Sequence, residues 1–213
     1  LVVLTVATMF YGNTIAIWQS NIKRMLAYSS IAQVGYLMVG VLTAMHYFAS
    51  DKGLPINPNA TVHANVRASS APLDLQGVLI YMAAYLLMNL GAFAVVVAVG
   101  KRLGSDSIEG YSGMMRRSPF FASALTVFLM SLAGVPPTFG FLGKLFIFGG
   151  AIMTGLSGHT ELIVLATIGV VNSVISAYYY LNVVRLMFFS SSDHKLDIRG
   201  SFAMNTTIAV LLI

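Results

Sequence analysis

The chain has 213 residues, of which 57% are hydrophobic and only 9% charged, with a formal charge of +5 and no cysteine. A water-soluble domain carries about 25% charged residues, so this chain lacks the polar groups to cover a water-facing surface and reads as one solvated by lipid. Disulfides and thiolate chemistry are excluded, and the basic residues fall in short clusters between apolar runs, a pattern that does not suit nucleic acid.

The sequence opens Leu1-Val2-Val3-Leu4 without an initiator methionine or a basic leader and stops at Ile213 inside an apolar run, so both ends are expected to lie mid-span in a longer protein. A membrane-spanning helix takes about 20 apolar residues. Six segments meet that pattern: 1–19, 26–46, 75–99, 119–155, 162–189, and a last one from 202 that is cut off at 213. They are long and lack two-residue alternation, which selects helices over a barrel. The expected fold is all-α: a single polytopic transmembrane helix bundle over 1–213, with one broken helix.

The connections alternate in charge. Lys23 and Arg24 follow the first segment, Lys101, Arg102, Arg116 and Arg117 follow the third, and Arg185, Lys195 and Arg199 lie at and after the end of the fifth. The other connections hold only Lys52 and Arg67. The positive-inside rule places the first set on the cytoplasmic side or its organellar equivalent. The stretch 47–74, with Pro55, Pro58 and Pro72, reads as an irregular external loop.

The fourth segment is too long for one straight helix, at roughly 55 Å against a bilayer core of roughly 30 Å. Its centre is Ala133-Gly134-Val135-Pro136-Pro137-Thr138-Phe139-Gly140. Adjacent prolines remove helix donors and clash with preceding carbonyls, and glycine weakens continuation further. Two half-helices joined by an unwound stretch are expected, with Pro136 and Pro137 as the break. Such breaks are tolerated where they line a buried or wet cavity, and they often mark transport sites.

Of the 12 basic residues, Lys144 alone falls deep in a span, and all seven acids lie in loops or at span ends. Roughly 16 Å of helix separates Lys144 from Gly155, too far for its stem to snorkel to the headgroups. It is therefore expected to face the protein interior, where an ionisable residue is a functional candidate. Desolvation disfavours a charged amine, so a lysine there can load and release a proton as its surroundings change. Carbonyls freed at the break carry partial negative charge that suits the ammonium. A purely structural lysine, paired with a neighbouring subunit, is the alternative. Polar side chains that could hold water along a path are Ser29, Ser30, Gln33, Tyr36, Tyr85, Asn89, Ser131, Thr138, Asn172, Ser173 and Ser176, although each is also explained by helix packing. Tyr178-Tyr179-Tyr180 reads as an interfacial anchor or packing element. His46, His63, His159 and His194 sit at span ends or in loops, and no metal, nucleotide or nucleophile constellation is apparent.

Three stretches carry a resemblance: Gln19 through Tyr36, with Lys23-Arg24-Met25-Leu26-Ala27-Tyr28-Ser29-Ser30; Ser131-Leu132-Ala133-Gly134-Val135-Pro136-Pro137 through Gly143-Lys144; and Tyr178-Tyr179-Tyr180-Leu181-Asn182-Val183-Val184-Arg185. Together they resemble the antiporter-like membrane subunits of respiratory complex I, over nearly the whole chain except 47–74. Within that family the chain is most similar to the N-type and its plastid relative. The M-type has a glutamate where Lys144 stands. The L-type has an aspartate where Leu145 stands, and a His and a Lys absent from Tyr85-Leu86-Leu87-Met88-Asn89-Leu90-Gly91.

The resemblance implies two inverted five-helix repeats, of which the first five segments here would form the second. It matches Lys144 to the lysine of the second broken helix, in the terminal proton-transfer half-channel. Gln33 stands where some relatives carry histidine. Lys23 and Arg24 match a family motif at the interface, where orientation and packing are the expected roles. The implied function is proton translocation within an NADH:quinone oxidoreductase, with no cofactor bound by this chain. NADH, FMN, iron–sulfur clusters and quinone would belong to the complex. The implied partners are other membrane-arm subunits, lipid and protons, in a bacterial inner membrane. A cation/proton antiporter subunit of the Mrp type is the alternative.

Overall fold

The computed structural model describes residues 1–49, 62–156, 158–190, 206 and 208–209. Seven α-helices occur among them: α1 (Val2–Ile17), α2 (Ile22–Ala49), α3 (Val62–Leu103), the short α4 (Met114–Arg117), α5 (Pro119–Ala133), α6 (Phe139–Gly155) and α7 (Thr160–Phe189), with a 3₁₀ turn at Ile108–Tyr111. Three apolar stretches are long enough to cross a membrane, Ile22–His46, Gln76–Leu103 and Thr160–Phe189, and α1, α5 and α6 are shorter apolar helices. No strand occurs among the described residues.

The bundle has an apolar core that also holds a set of polar side chains, and its outer surface is apolar as well. Thr5, Asn13, Ser29, Gln33, Lys144, Asn172 and Ser176 are buried, whereas Val3, Leu87, Leu145 and Val174 are exposed. This is the arrangement of a bundle solvated by lipid, where hydrogen bonds and close packing join the helices. Glycines set the closest approaches. At Gly12 an added Cβ would lie 2.6 Å from Ala32 N, so α1 and α2 touch backbone to backbone there.

The irregular loop expected over 47–74 is corrected at both ends. Helix α2 continues to Ala49, and α3 begins at Val62 and runs through Pro72. Its 42 residues give roughly 63 Å of helix, so α3 projects beyond a bilayer core of roughly 30 Å. Proline and polar residues suggested a loop, but 62–71 also holds alanines, the strongest helix formers. Residues 50–61, Lys52, His194, Lys195, Arg199 and most of the last segment lie outside the described residues. Of that segment, Thr206, Ile208 and Ala209 are described and are helical.

The basic connections share one face. The α1–α2 turn is bonded to the loop after α3, through Ile22 N to Asp106 O at 2.9 Å and Ile108 N to Ser20 O at 2.8 Å. Lys23 pairs with Asp106 at 2.8 Å. The end of α7 joins the same loop, where Gly113 N donates to Leu186 O at 3.0 Å.

Candidate functional site: a lysine on a broken helix

The break forms where the sequence places it. Pro119 occupies the first turn of α5, and the helix ends at Gly134, whose φ of 82° is a left-handed conformation that suits glycine. Thr138 then caps α6, its Oγ1 accepting from Phe141 N at 3.4 Å. Pro136 and Pro137, joined by a cis peptide, lie exposed between the two half-helices. Gly140 lets α6 start against the end of α5, since a Cβ there would run into Ser131 O.

An α-helix leaves its last four carbonyls without helical partners. In α5, two are closed by backbone: Gly134 N donates to Met130 O and Ser131 O at 3.0 Å, and Val135 N to Met130 O at 3.1 Å. The remaining two accept from Lys144, whose Nζ lies 3.0 Å from Leu132 O and 3.1 Å from Ala133 O. The third bond of Nζ goes to Ser173 Oγ on α7 at 2.9 Å. An ammonium has three donors, so these three acceptors satisfy it fully. The Tyr36 ring also presents its face to Nζ at 4.9 Å.

Lys144 is 4% exposed, which agrees with its expected interior placement. Among the described residues no carboxylate pairs with it. The negative end of the α5 dipole takes that role.

Polar side chains extend from the lysine in two directions. Gln33 Nε2 donates to Leu132 O at 3.2 Å, a carbonyl it shares with Lys144, and Tyr81 OH donates to Gln33 Oε1. On the other side, Asn13 Nδ2 reaches Tyr36 OH at 3.1 Å, Asn172 O at 3.0 Å and Asn172 Oδ1 at 3.2 Å. Tyr179 OH donates to Asn13 Oδ1 at 3.1 Å. Tyr180 is fully buried beside this network, its ring 4.5 Å from that of Tyr179, centroid to centroid.

The structure thus brings Gln33, Tyr36, Asn172 and Ser173 to the lysine or its immediate network. Other candidates are engaged locally. Ser29 and Ser30 bond Leu26 O, and Ser176 bonds Ser173 O. Thr138 bonds Val135 O besides capping α6. Ser131 Oγ joins the half-helices by accepting from Gly140 N at 3.2 Å and also contacts Met88 Sδ. Tyr85 packs against the core, and Asn89 Oδ1 is buried without a hydrogen-bond partner among the described residues. Lys23 and Arg24 sit at the basic face, away from the lysine. Tyr178 is exposed, but Tyr179 and Tyr180 are buried, so packing describes that pair and an interfacial anchor does not.

Two participants were missed from the sequence, Asn13 and Tyr81. Asn13 is the only carboxamide in α1, and that isolation was the available signal. His46 and His159 were given no role, yet their rings lie 5.0 Å apart, centroid to centroid, with Glu161 beside both.

Residues 1–50 and 66–176 match the family described as NADH:quinone oxidoreductase/Mrp antiporter, TM. The chain belongs to this transmembrane family. Among relatives, the NADH-quinone oxidoreductase subunit N of Chlorobium chlorochromatii (strain CaD3) is 45% identical over 181 residues, covering 85% of this chain and 29% of the relative. The chain spans about a third of the length of the curated relatives it matches. Among solved structures, a chain of respiratory complex I from Thermus thermophilus with bound aureothin superposes with a TM-score of 0.71 at 25% identity, over 99% of this chain and 40% of that one. A chain of the Mrp complex from Dietzia sp. DQ12-45-1b superposes with a TM-score of 0.70 at 24% identity, over 93% of this chain and 31% of that one, a likeness of fold alone. The family and the apolar helices identify an integral membrane protein.

Proposed function

We propose that this chain is a proton-transfer half of a membrane-arm subunit, N-type, of a proton-translocating NADH:quinone oxidoreductase, and that Lys144 is its proton carrier. The observation that carries the reading is the placement of Lys144 Nζ on the two open carbonyls of a broken helix, with no carboxylate among the described residues to hold its charge. A carboxylate partner would lock the ammonium. Carbonyl dipoles and one hydroxyl stabilise it less firmly and leave it able to give up its proton.

Ser173 suits both forms of the amine. Its hydroxyl accepts from Nζ at 2.9 Å and donates at 3.4 Å to Ala133 O. When the lysine is neutral, the same hydroxyl can turn and donate to the amine lone pair, so proton loss leaves no buried group without a partner. Gln33 and Tyr81 on one side, and Tyr36, Asn13 and Asn172 on the other, supply polar positions from which ordered water would extend the path. A shift of α6 against α5 would change both carbonyl bonds at once, which couples loading of the lysine to a conformational step.

Relatives that are 35–45% identical to the chain over the aligned residues and bear the name NADH-quinone oxidoreductase subunit N support this reading over the alternative. In it, NADH, FMN, iron–sulfur clusters and quinone are handled by other subunits, this chain binds no redox cofactor, and the complex sits in a bacterial inner membrane. A cation/proton antiporter subunit is the second reading, supported by the likeness of fold to the Mrp complex.

The test is NADH-driven proton pumping in membrane vesicles carrying Lys144→Ala in the full-length chain, with assembly and NADH–quinone turnover followed alongside. An assembled complex whose pumping and coupled turnover fall sharply supports the proton-carrier role. Unchanged pumping removes it. Sodium-dependent exchange without NADH would instead support the antiporter reading.

A further inference from the structure

At the opposite end of the bundle from Lys23 and Asp106, three side chains far apart in the sequence converge. His46 lies near the end of α2, His159 on the connection into α7, and Glu161 in the first turn of α7. Glu161 Oε1 is 3.4 Å from His46 Nε2 and 3.4 Å from His159 Nδ1. One nitrogen from each ring and one carboxylate oxygen all lie within 4.8 Å of one another.

The protonation pattern of His46 is constrained by its own helix. Its Nδ1 is 2.9 Å from Leu42 O. A carbonyl only accepts, so Nδ1 carries the hydrogen and, in the neutral ring, Nε2 presents a bare lone pair toward Glu161. A backbone carbonyl that fixes the tautomer in this way is the usual outer partner of a metal-bound histidine. The lone pair and the carboxylate oxygen are both acceptors, and a cation between them satisfies both.

The distances select the cation. Zn²⁺ binds imidazole nitrogen at about 2.0–2.1 Å and carboxylate oxygen at about 2.0–2.2 Å in a tetrahedron, whose ligand-to-ligand edge is then roughly 3.3–3.4 Å. Two of the three edges here already have that length. Ca²⁺ and Mg²⁺ demand six or more oxygen ligands, which this cluster does not offer. The side chains are also reachable: those of His46, His159 and Glu161 are 30%, 35% and 47% exposed.

We infer that His46, His159 and Glu161 form a binding site for a divalent first-row transition-metal ion, with Zn²⁺ the best match and water as a fourth ligand, and that the bound ion ties the end of α2 to the start of α7. Its three residues share none of the bonds that hold Lys144.

The test titrates the purified full-length chain in nanodiscs with Co²⁺, whose visible bands become intense in a four-coordinate site, and then displaces it with Zn²⁺. One intense, Zn²⁺-displaceable Co²⁺ site is expected. His46→Gln and His159→Gln should each weaken it by more than the roughly 10- to 100-fold that loss of an outer partner costs, and Lys144→Ala should leave it unchanged. Absence of the intense bands, or their persistence in both histidine variants, overturns the proposal. X-ray absorption of the Zn²⁺-loaded wild-type chain needs no variant: two imidazoles in the first shell support the site, and fewer than two refute it.

Discussion

Gly134 separates the two ways in which the helix break can matter, through backbone geometry and through its contact with the lysine. Its φ of +82° is unfavourable for any residue with a Cβ, at a cost of roughly 1–2 kcal/mol, offset by about 0.4–1 kcal/mol because alanine has less unfolded-state freedom to lose. Gly134→Ala should therefore destabilise the chain by about 1 kcal/mol through backbone alone. The new Cβ would also stand 3.1 Å from Lys144 Cδ and 3.3 Å from Nζ. The lysine stem must then move by a few tenths of an ångström, away from the carbonyls it bonds. A hydrogen bond to a charged group is worth about 1.5–3 kcal/mol, and 1.4 kcal/mol is about tenfold in an equilibrium. Weakening both carbonyl bonds should therefore shift the proton affinity of Lys144 by about tenfold and lower proton pumping per NADH oxidised.

Gly104 supplies the control. It has a similar φ of +66°, but an added Cβ there meets nothing within 4 Å. Gly104→Ala shares the backbone cost without touching the lysine. In denaturation of the purified full-length protein the two variants should lose similar stability, while in vesicles only Gly134→Ala should lose pumping. Equal pumping by the two variants would refute the idea that the carbonyl cradle sets the behaviour of Lys144.

Ser173→Ala removes the third acceptor of Nζ, a side-chain hydroxyl, and should shift the proton affinity of Lys144 about tenfold and reduce pumping. Ser173→Cys, with a weaker donor and acceptor of similar shape, should fall between the two, as read by acidification of vesicles during NADH oxidation. At the basic face, Lys23→Ala breaks a pair whose side chains are 39% and 30% exposed. It should cost less than about 1 kcal/mol and leave pumping intact, measured by the same two assays.

The break was legible because it rests on local chemistry. Two prolines and flanking glycines forbid a continuous helix whatever surrounds them, and α5 and α6 end and begin at Ala133 and Phe139 accordingly. Lys144 was legible by its depth, since one cation with no path to the headgroups must find partners inside. Its particular partners were not. That Leu132 O and Ala133 O would remain open depends on Gly134 closing the other two carbonyls, and the reach of Ser173 depends on where α7 lies against α5.

The stretch 62–74 shows the opposite limit. Proline, asparagine and serine there suggest a loop, yet α3 includes Asn65, Ser69, Ser70 and Pro72. Composition reports how well a segment suits lipid, and a helix that projects beyond the bilayer has no need to suit it. Asn13, Tyr81 and His46 share one cause of concealment. They are polar residues in or at the edge of apolar runs, where a lone polar residue is most often packing, and His159 lies in a short polar connection. Only superposition of helices from distant parts of the chain distinguishes the exceptions. Asn13 gains its meaning from Tyr36, Asn172 and Tyr179 on two other helices, just as Lys144 does from a carbonyl pair on one helix and a hydroxyl on another. In such a bundle the sequence marks which groups are costly to bury, and the packing of helices decides which of those costs are met together at one site.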